Sequence, residues 1–161
     1  MESKTVYDNC GGTLISEQWV ITTYHCVGGV PLDNHQIVLG GYVFPPPYQQ
    51  NMPNTDEIVL GVEKIVLHPE SGLLVYDIAL VKMNTSVTYG PKIFPACVPG
   101  PDYKFRTGKL VTATGWGLIQ SDPMYDPRVL QELDMMLSNR QYCERIIEVG
   151  CLAGNMLAAT R

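Results

Sequence analysis

Apolar residues along this chain come in short β-branched runs rather than at helical spacing. Residues 19–23, 36–39, 58–60, 63–67, 78–81, 110–114 and 129–137 each read as a strand. Val, Ile and Thr dominate most of them, and these side chains fit a pleated, half-buried surface. Turn residues separate the runs at short intervals, the spacing of an all-β sandwich or barrel. Residues 42–53 hold Pro45-Pro46-Pro47 and Pro53 among Tyr and Gln, and read as an extended surface loop. Residues 94–102, with Pro95, Pro99 and Pro101, read as a linker between two halves, 1–93 and 103–161. One helix is predicted near 139–148. Ser138-Asn139-Arg140-Gln141 fits a capping box, Tyr142, Ile146 and Val149 form a short apolar stripe, and Gly150 ends it.

Composition narrows the function. Of 161 residues, 45% are hydrophobic and 17% charged, a mix that can bury a core. The net charge of −5, without a Lys/Arg cluster, argues against nucleic acid and anionic membranes as partners. No apolar run approaches the ~18 residues of a membrane span. The first residues, Met1-Glu2-Ser3-Lys4-Thr5, are polar and lead into no secretory signal.

Five cysteines is an odd count, so at least one is unpaired within the chain. Cys10 and Cys26 stand in no C-x-x-C arrangement, so disulfide chemistry reads better than a metal site. Disulfides persist outside the cytosol. Asn84-Thr85-Ser86 is the only glycosylation sequon and points the same way. Together with the polar start, these features imply a missing N-terminal segment.

Two residues offer chemistry. His25 follows the strand 19–23 and adjoins Cys26. Asp77 stands directly before the apolar run 78–81, where an unpaired carboxylate is costly. Each alone reads as an ordinary structural residue. Together they make the back half of a Ser-His-Asp triad: the carboxylate accepts from Nδ1–H and leaves Nε2 to take a proton from a hydroxyl.

The motifs then carry a family resemblance. Cys10-Gly11-Gly12-Thr13-Leu14-Ile15-Ser16 followed by Trp19-Val20-Ile21-Thr22-Thr23-Tyr24-His25-Cys26 closely resembles the histidine block of trypsin-like serine proteases. Asp77-Ile78-Ala79-Leu80-Val81-Lys82 resembles their aspartate block, and Thr114-Gly115-Trp116-Gly117 the motif opening their second barrel. Phe94-Pro95-Ala96-Cys97-Val98-Pro99 is similar to their inter-barrel linker. The resemblance runs from Cys10 to the end of the chain. It implies an all-β, trypsin-like double β-barrel, with the first barrel lacking its N-terminal strands and the second incomplete. It implies His25 as general base, Asp77 as its orienter, a Cys10–Cys26 disulfide, no cofactor, no metal, protein or peptide substrates, and an extracellular location.

The chain also departs from that pattern. Its serines are Ser3, Ser16, Ser71, Ser86, Ser121 and Ser138, and none stands in the family's Gly-Asp-Ser-Gly-Gly stretch. The expectation is therefore a serine endopeptidase sequence that is inactive as it stands, the nucleophile and oxyanion hole being absent. The alternative is a non-catalytic homologue acting as a binding or regulatory module. Tyr24, where the family has Ala, and Ala158, where it has Cys, favour that alternative. Cys143 thereby loses its usual partner, and Cys151, eight residues on, is a candidate substitute, though that pairing is not family-like. Cys97 resembles the cysteine that tethers a propeptide or light chain. His35 and His68 read as surface residues, Met135-Met136 as core, and Asp56-Glu57 as too few oxygens for calcium.

Overall fold

The computed structural model describes residues 10–43, 57–72, 75–117, 120–121, 124–125, 129–139, 141–142 and 159–160. The chain divides into two compact units, residues 1–38 with 59–98, and residues 39–58 with 99–161. It is mostly β, and its largest sheet is a curled five-stranded half-barrel.

That sheet is built from β1 (Thr13–Leu14), β2 (Trp19–Thr22), β3 (Gln36–Leu39), β4 (Ile58–Leu67) and β5 (Ala79–Met83), in the order β1-β2-β5-β4-β3. The central position of β5 follows from its sequence. Ala79, Val81 and Met83 alternate with Leu80 and Lys82, and the first three are 2%, 1% and 0% exposed. This is the period-2 pattern of a strand with one face in the core. Leu14, Val20, Val27 and Val87 complete the buried set of this unit. On the other face, Lys82 Nζ pairs with Glu63 Oε1 at 2.7 Å.

The two runs expected at 58–60 and 63–67 form one strand. A register shift between Val62 and Lys64 lets β4 continue past the irregularity. Gly61 lies at this point because a Cβ there would come within 2.8 Å of Asn84 Nδ2. The Asn84 amide also donates to the Gly61 carbonyl at 3.0 Å.

In the second unit, β6 (Leu110–Gly115) pairs antiparallel with β9 (Gln131–Leu137) along its whole length. Between them lie β7 (Gln120–Ser121) and β8 (Met124–Tyr125), a small two-stranded pair, and β10 (Ala159–Thr160) pairs with the end of β9. The Trp116 indole N–H donates to the Tyr42 carbonyl at 3.2 Å. Met136 is 50% exposed, opposite Leu110, so the expectation of core for Met136 is corrected. Neighbours on a strand point to opposite faces, and it is Leu137 that turns inward. The helix expected near 139–148 begins with residues 141–142, and most of it lies outside the described residues. At its start Asn139 Oδ1 accepts from the Tyr142 amide at 2.8 Å, a bond of the capping kind.

Candidate active site

Strand register brings the two candidate residues together. β2 and β5 run antiparallel with Trp19 opposite Lys82 and Thr22 opposite Ala79. The residues just past Thr22 and just before Ala79 therefore leave the ladder at the same end. After β2 the chain turns into a single helical turn, α1 (Tyr24–Val27), which begins after Thr23 in an extended conformation. Before β5, Tyr76 adopts a left-handed backbone with φ of +50°. The Ile78 amide then donates to the Tyr76 carbonyl at 2.7 Å, closing a three-residue turn centred on Asp77. This turn is why β5 begins at Ala79 and not at Ile78.

The Asp77 carboxylate faces α1 and accepts from it twice. The His25 amide donates to Oδ1 at 2.9 Å, and His25 Nδ1 lies 2.6 Å from Oδ2. Burial opposes ionisation of Asp77. The hydrogen bonds from the His25 amide and ring, the His25 charge and the Tyr24 amide outweigh it and hold the carboxyl below its ordinary value. An ionised carboxylate can only accept, so Nδ1 carries the ring proton and Nε2 is the acceptor nitrogen of neutral His25. The pair is open to water, with the His25 side chain 50% and the Asp77 side chain 27% exposed.

Beside the histidine, Cys10 and Cys26 form a disulfide with their Cα atoms 6.1 Å apart. Cys26 Sγ also accepts from Thr23 Oγ1 at 2.9 Å. Cys10, His25 and Cys26 cluster closely, but sulfurs bonded to each other are not thiolate metal ligands. Tyr24 folds its ring over Gly28, where an added Cβ would come within 2.8 Å of the ring. Its bulk is thus taken up one helical turn along the chain.

The other candidates are scattered. Cys97 is a free, exposed thiol, and Asn84 is exposed at the end of β5. Cys143, Cys151 and Asp56 lie outside the described residues. The surface reading of His68 is incomplete, since its ring stacks on Tyr76 with centroids 4.3 Å apart and 7° between planes. Sequence reasoning missed Tyr76 altogether. No periodicity marks it, and its only signal is adjacency to Asp77.

A comparison with known families decides the ancestry. The family model described as Trypsin matches residues 1–161. The chain belongs to the trypsin family. Among trypsin-family relatives, ovochymase-2 of Mus musculus is 33% identical over 141 residues, covering 86% of this chain and 22% of that protein. Serine proteinase stubble of Drosophila melanogaster is 34% identical over 137 residues, covering 84% of this chain and 17% of the relative. The suppressor of tumorigenicity 14 protein homolog of Bos taurus is 32% identical over 161 residues, covering 91% of this chain and 18% of the relative. The chain spans about a fifth of the length of these curated relatives. Among the described residues, no helix is long and apolar enough to cross a membrane.

Proposed function

We propose that this chain carries the general base and the orienting carboxylate of a serine endopeptidase, His25 and Asp77. The observation that carries the reading is the paired contact of one carboxylate with both the amide and the Nδ1 of His25. The hydrogen bond from the His25 amide fixes where Asp77 sits, and the one from the ring fixes the tautomer. In the reaction, Nε2 takes the hydroxyl proton of a nucleophilic serine as it attacks a peptide carbonyl, and later returns it to the leaving amine. The imidazolium that forms in between is stabilised by the adjacent carboxylate.

The 161 residues by themselves supply no serine in a Gly-Asp-Ser-Gly-Gly setting. Without a serine in that setting, the expectation for these residues by themselves is no peptidase activity. Incubation with a peptide thioester and with a serine-directed phosphonate tests this. No turnover and no labelling are expected. Turnover abolished by His25→Ala would overturn the inactivity.

The complete fold in this reading is a trypsin-like double β-barrel divided at 1–93, 94–102 and 103–161, and the substrates are proteins or peptides. The chain works outside the cytosol, where the Cys10–Cys26 bond persists. Exposed Cys97 links to a propeptide or light chain, and exposed Asn84 carries a glycan. Cys143 pairs with Cys151. Expression through a secretory pathway checks the glycan: a mass shift sensitive to N-glycosidase is expected, and Asn84→Gln removes it.

A further inference from the structure

The segment that delivers Asp77 is held in an unusual way. The last paired rung of β4 and β5 joins Leu67 to Ala79. Between them the chain makes an excursion over residues 68–78, and Asp77 stands near its returning end. The excursion is cinched at two levels. Gly72 and Val75 exchange backbone hydrogen bonds at 2.8 and 3.4 Å. Nearer the sheet, His68 and Tyr76 lie face to face, centroids 4.3 Å apart and planes within 7°. Among the described residues of this neck, Leu67, Val75 and Ile78 are each at least 39% exposed.

Both rings are themselves fixed. His68 Nδ1 accepts from the Glu70 amide at 3.2 Å, and its carbonyl accepts from the Ser71 amide at 2.9 Å. The imidazole is thereby tied to the outgoing turn. Tyr76 meets it from a backbone with φ of +50°, and it is the one non-glycine residue with positive φ among those described. A bulky side chain in that region needs compensation from its surroundings. The stack provides it. The consequence falls on the next residue, because the Tyr76 carbonyl closes the turn around Asp77.

We propose that the His68–Tyr76 ring stack is a positioning device for the Asp77 carboxylate. It acts by holding Tyr76 in the left-handed conformation that aims Asp77 at α1. This rests on the reading of Asp77 as the partner of His25. Tyr76 and His68 are positioning residues and touch no reacting atom.

The experiment is nuclear magnetic resonance on the full chain, with two readouts that a merely stabilising contact would leave in place. One is the low-field proton signal of His25 Nδ1–H held against Asp77. The other is titration of the Asp77 carboxyl carbon. Tyr76→Ala removes one ring and leaves a residue that disfavours left-handed backbone, and His68→Ala removes the opposite ring. Both are expected to lose the low-field signal and to move the Asp77 titration up toward its ordinary value of 3.8. Tyr76→Phe and His68→Phe keep two rings and retain both signatures. Methyl signals of Val81 and Met83 report whether each variant is folded. If Tyr76→Ala unfolds, His68→Ala decides the matter, and if both unfold while their Phe counterparts behave as wild type, the stack acts on stability alone and the proposal fails. Retention of both signatures in folded Tyr76→Ala or His68→Ala overturns it likewise. Asp77→Asn separates the two levels. If it leaves the low-field signal intact, the His25–Asp77 reading fails. If it removes the signal and the ring variants do not, only the positioning role fails.

Discussion

Replacing Asp77 by Asn keeps the side chain's size and removes its charge. Two hydrogen bonds respond differently. The His25 amide, 2.9 Å from Oδ1, keeps an acceptor in the amide oxygen. The ring nitrogen Nδ1, 2.6 Å from Oδ2, meets an NH₂ donor instead. Two donors cannot share that gap, so the imidazole proton moves to Nε2 and Nδ1 becomes the acceptor. A hydrogen bond to a charged group contributes about 1.5–3 kcal/mol net. With half of the His25 side chain in water, screening brings the loss down to about 1–2 kcal/mol. Nitrogen-15 shifts of the ring read the tautomer directly, and urea unfolding reads the stability. We expect an Nε2–H tautomer and a lower midpoint. An Asn variant that keeps the proton on Nδ1 refutes the argument, because it would mean that the carboxylate does not set the tautomer.

The same carboxylate makes stability depend on acid. Its folded pKa lies below the ordinary 3.8. The stabilisation is therefore complete above that value and disappears as pH falls through the folded pKa. The stability gap between wild type and Asp77→Asn should close as pH falls below 3.8. Changing Cys10 and Cys26 together to Ser opens a loop with a sequence separation of 16 and should cost about 3 kcal/mol in chemical denaturation. Met83→Ala empties the fully buried end of β5 and should cost about 2–5 kcal/mol by the same measurement. Gly28→Ala drives a methyl group into the Tyr24 ring and carbonyl and should cost about 1–3 kcal/mol. Adding Tyr24→Ala should restore only part of it, since the Tyr24 carbonyl also lies 2.9 Å from the new carbon.

Much of the first unit was legible because its strands announce themselves. The β-branched runs at Trp19, Gln36 and Ile65 became β2, β3 and part of β4 with boundaries nearly as read. His25 and Asp77 were legible only as a pair, since each residue type is common at strand ends. What resisted reading was geometry without periodicity. A bulge fused two runs into β4, because two residues opposing one leave no mark in an apolar pattern. The part played by Asn139 at the helix start was not read, since adjacent Ser and Asn are both good caps. Tyr76 stayed hidden for the same reason: a left-handed tyrosine is an exception that local preference argues against.

The antiparallel pairing of β2 with β5 also bears on how the site comes into being. His25 and Asp77 are separated by 52 residues, whereas the disulfide bridges 16. By loop-closure entropy the longer span costs about 1 kcal/mol more to close. A nascent or partly unfolded chain can thus hold the cysteine loop while the imidazole still lacks its carboxylate. The dyad assembles only when non-local strand pairing is complete, a slow kind of contact in folding kinetics. Proton-accepting geometry at His25 is in this sense a checkpoint: it reports that β2 and β5 have paired.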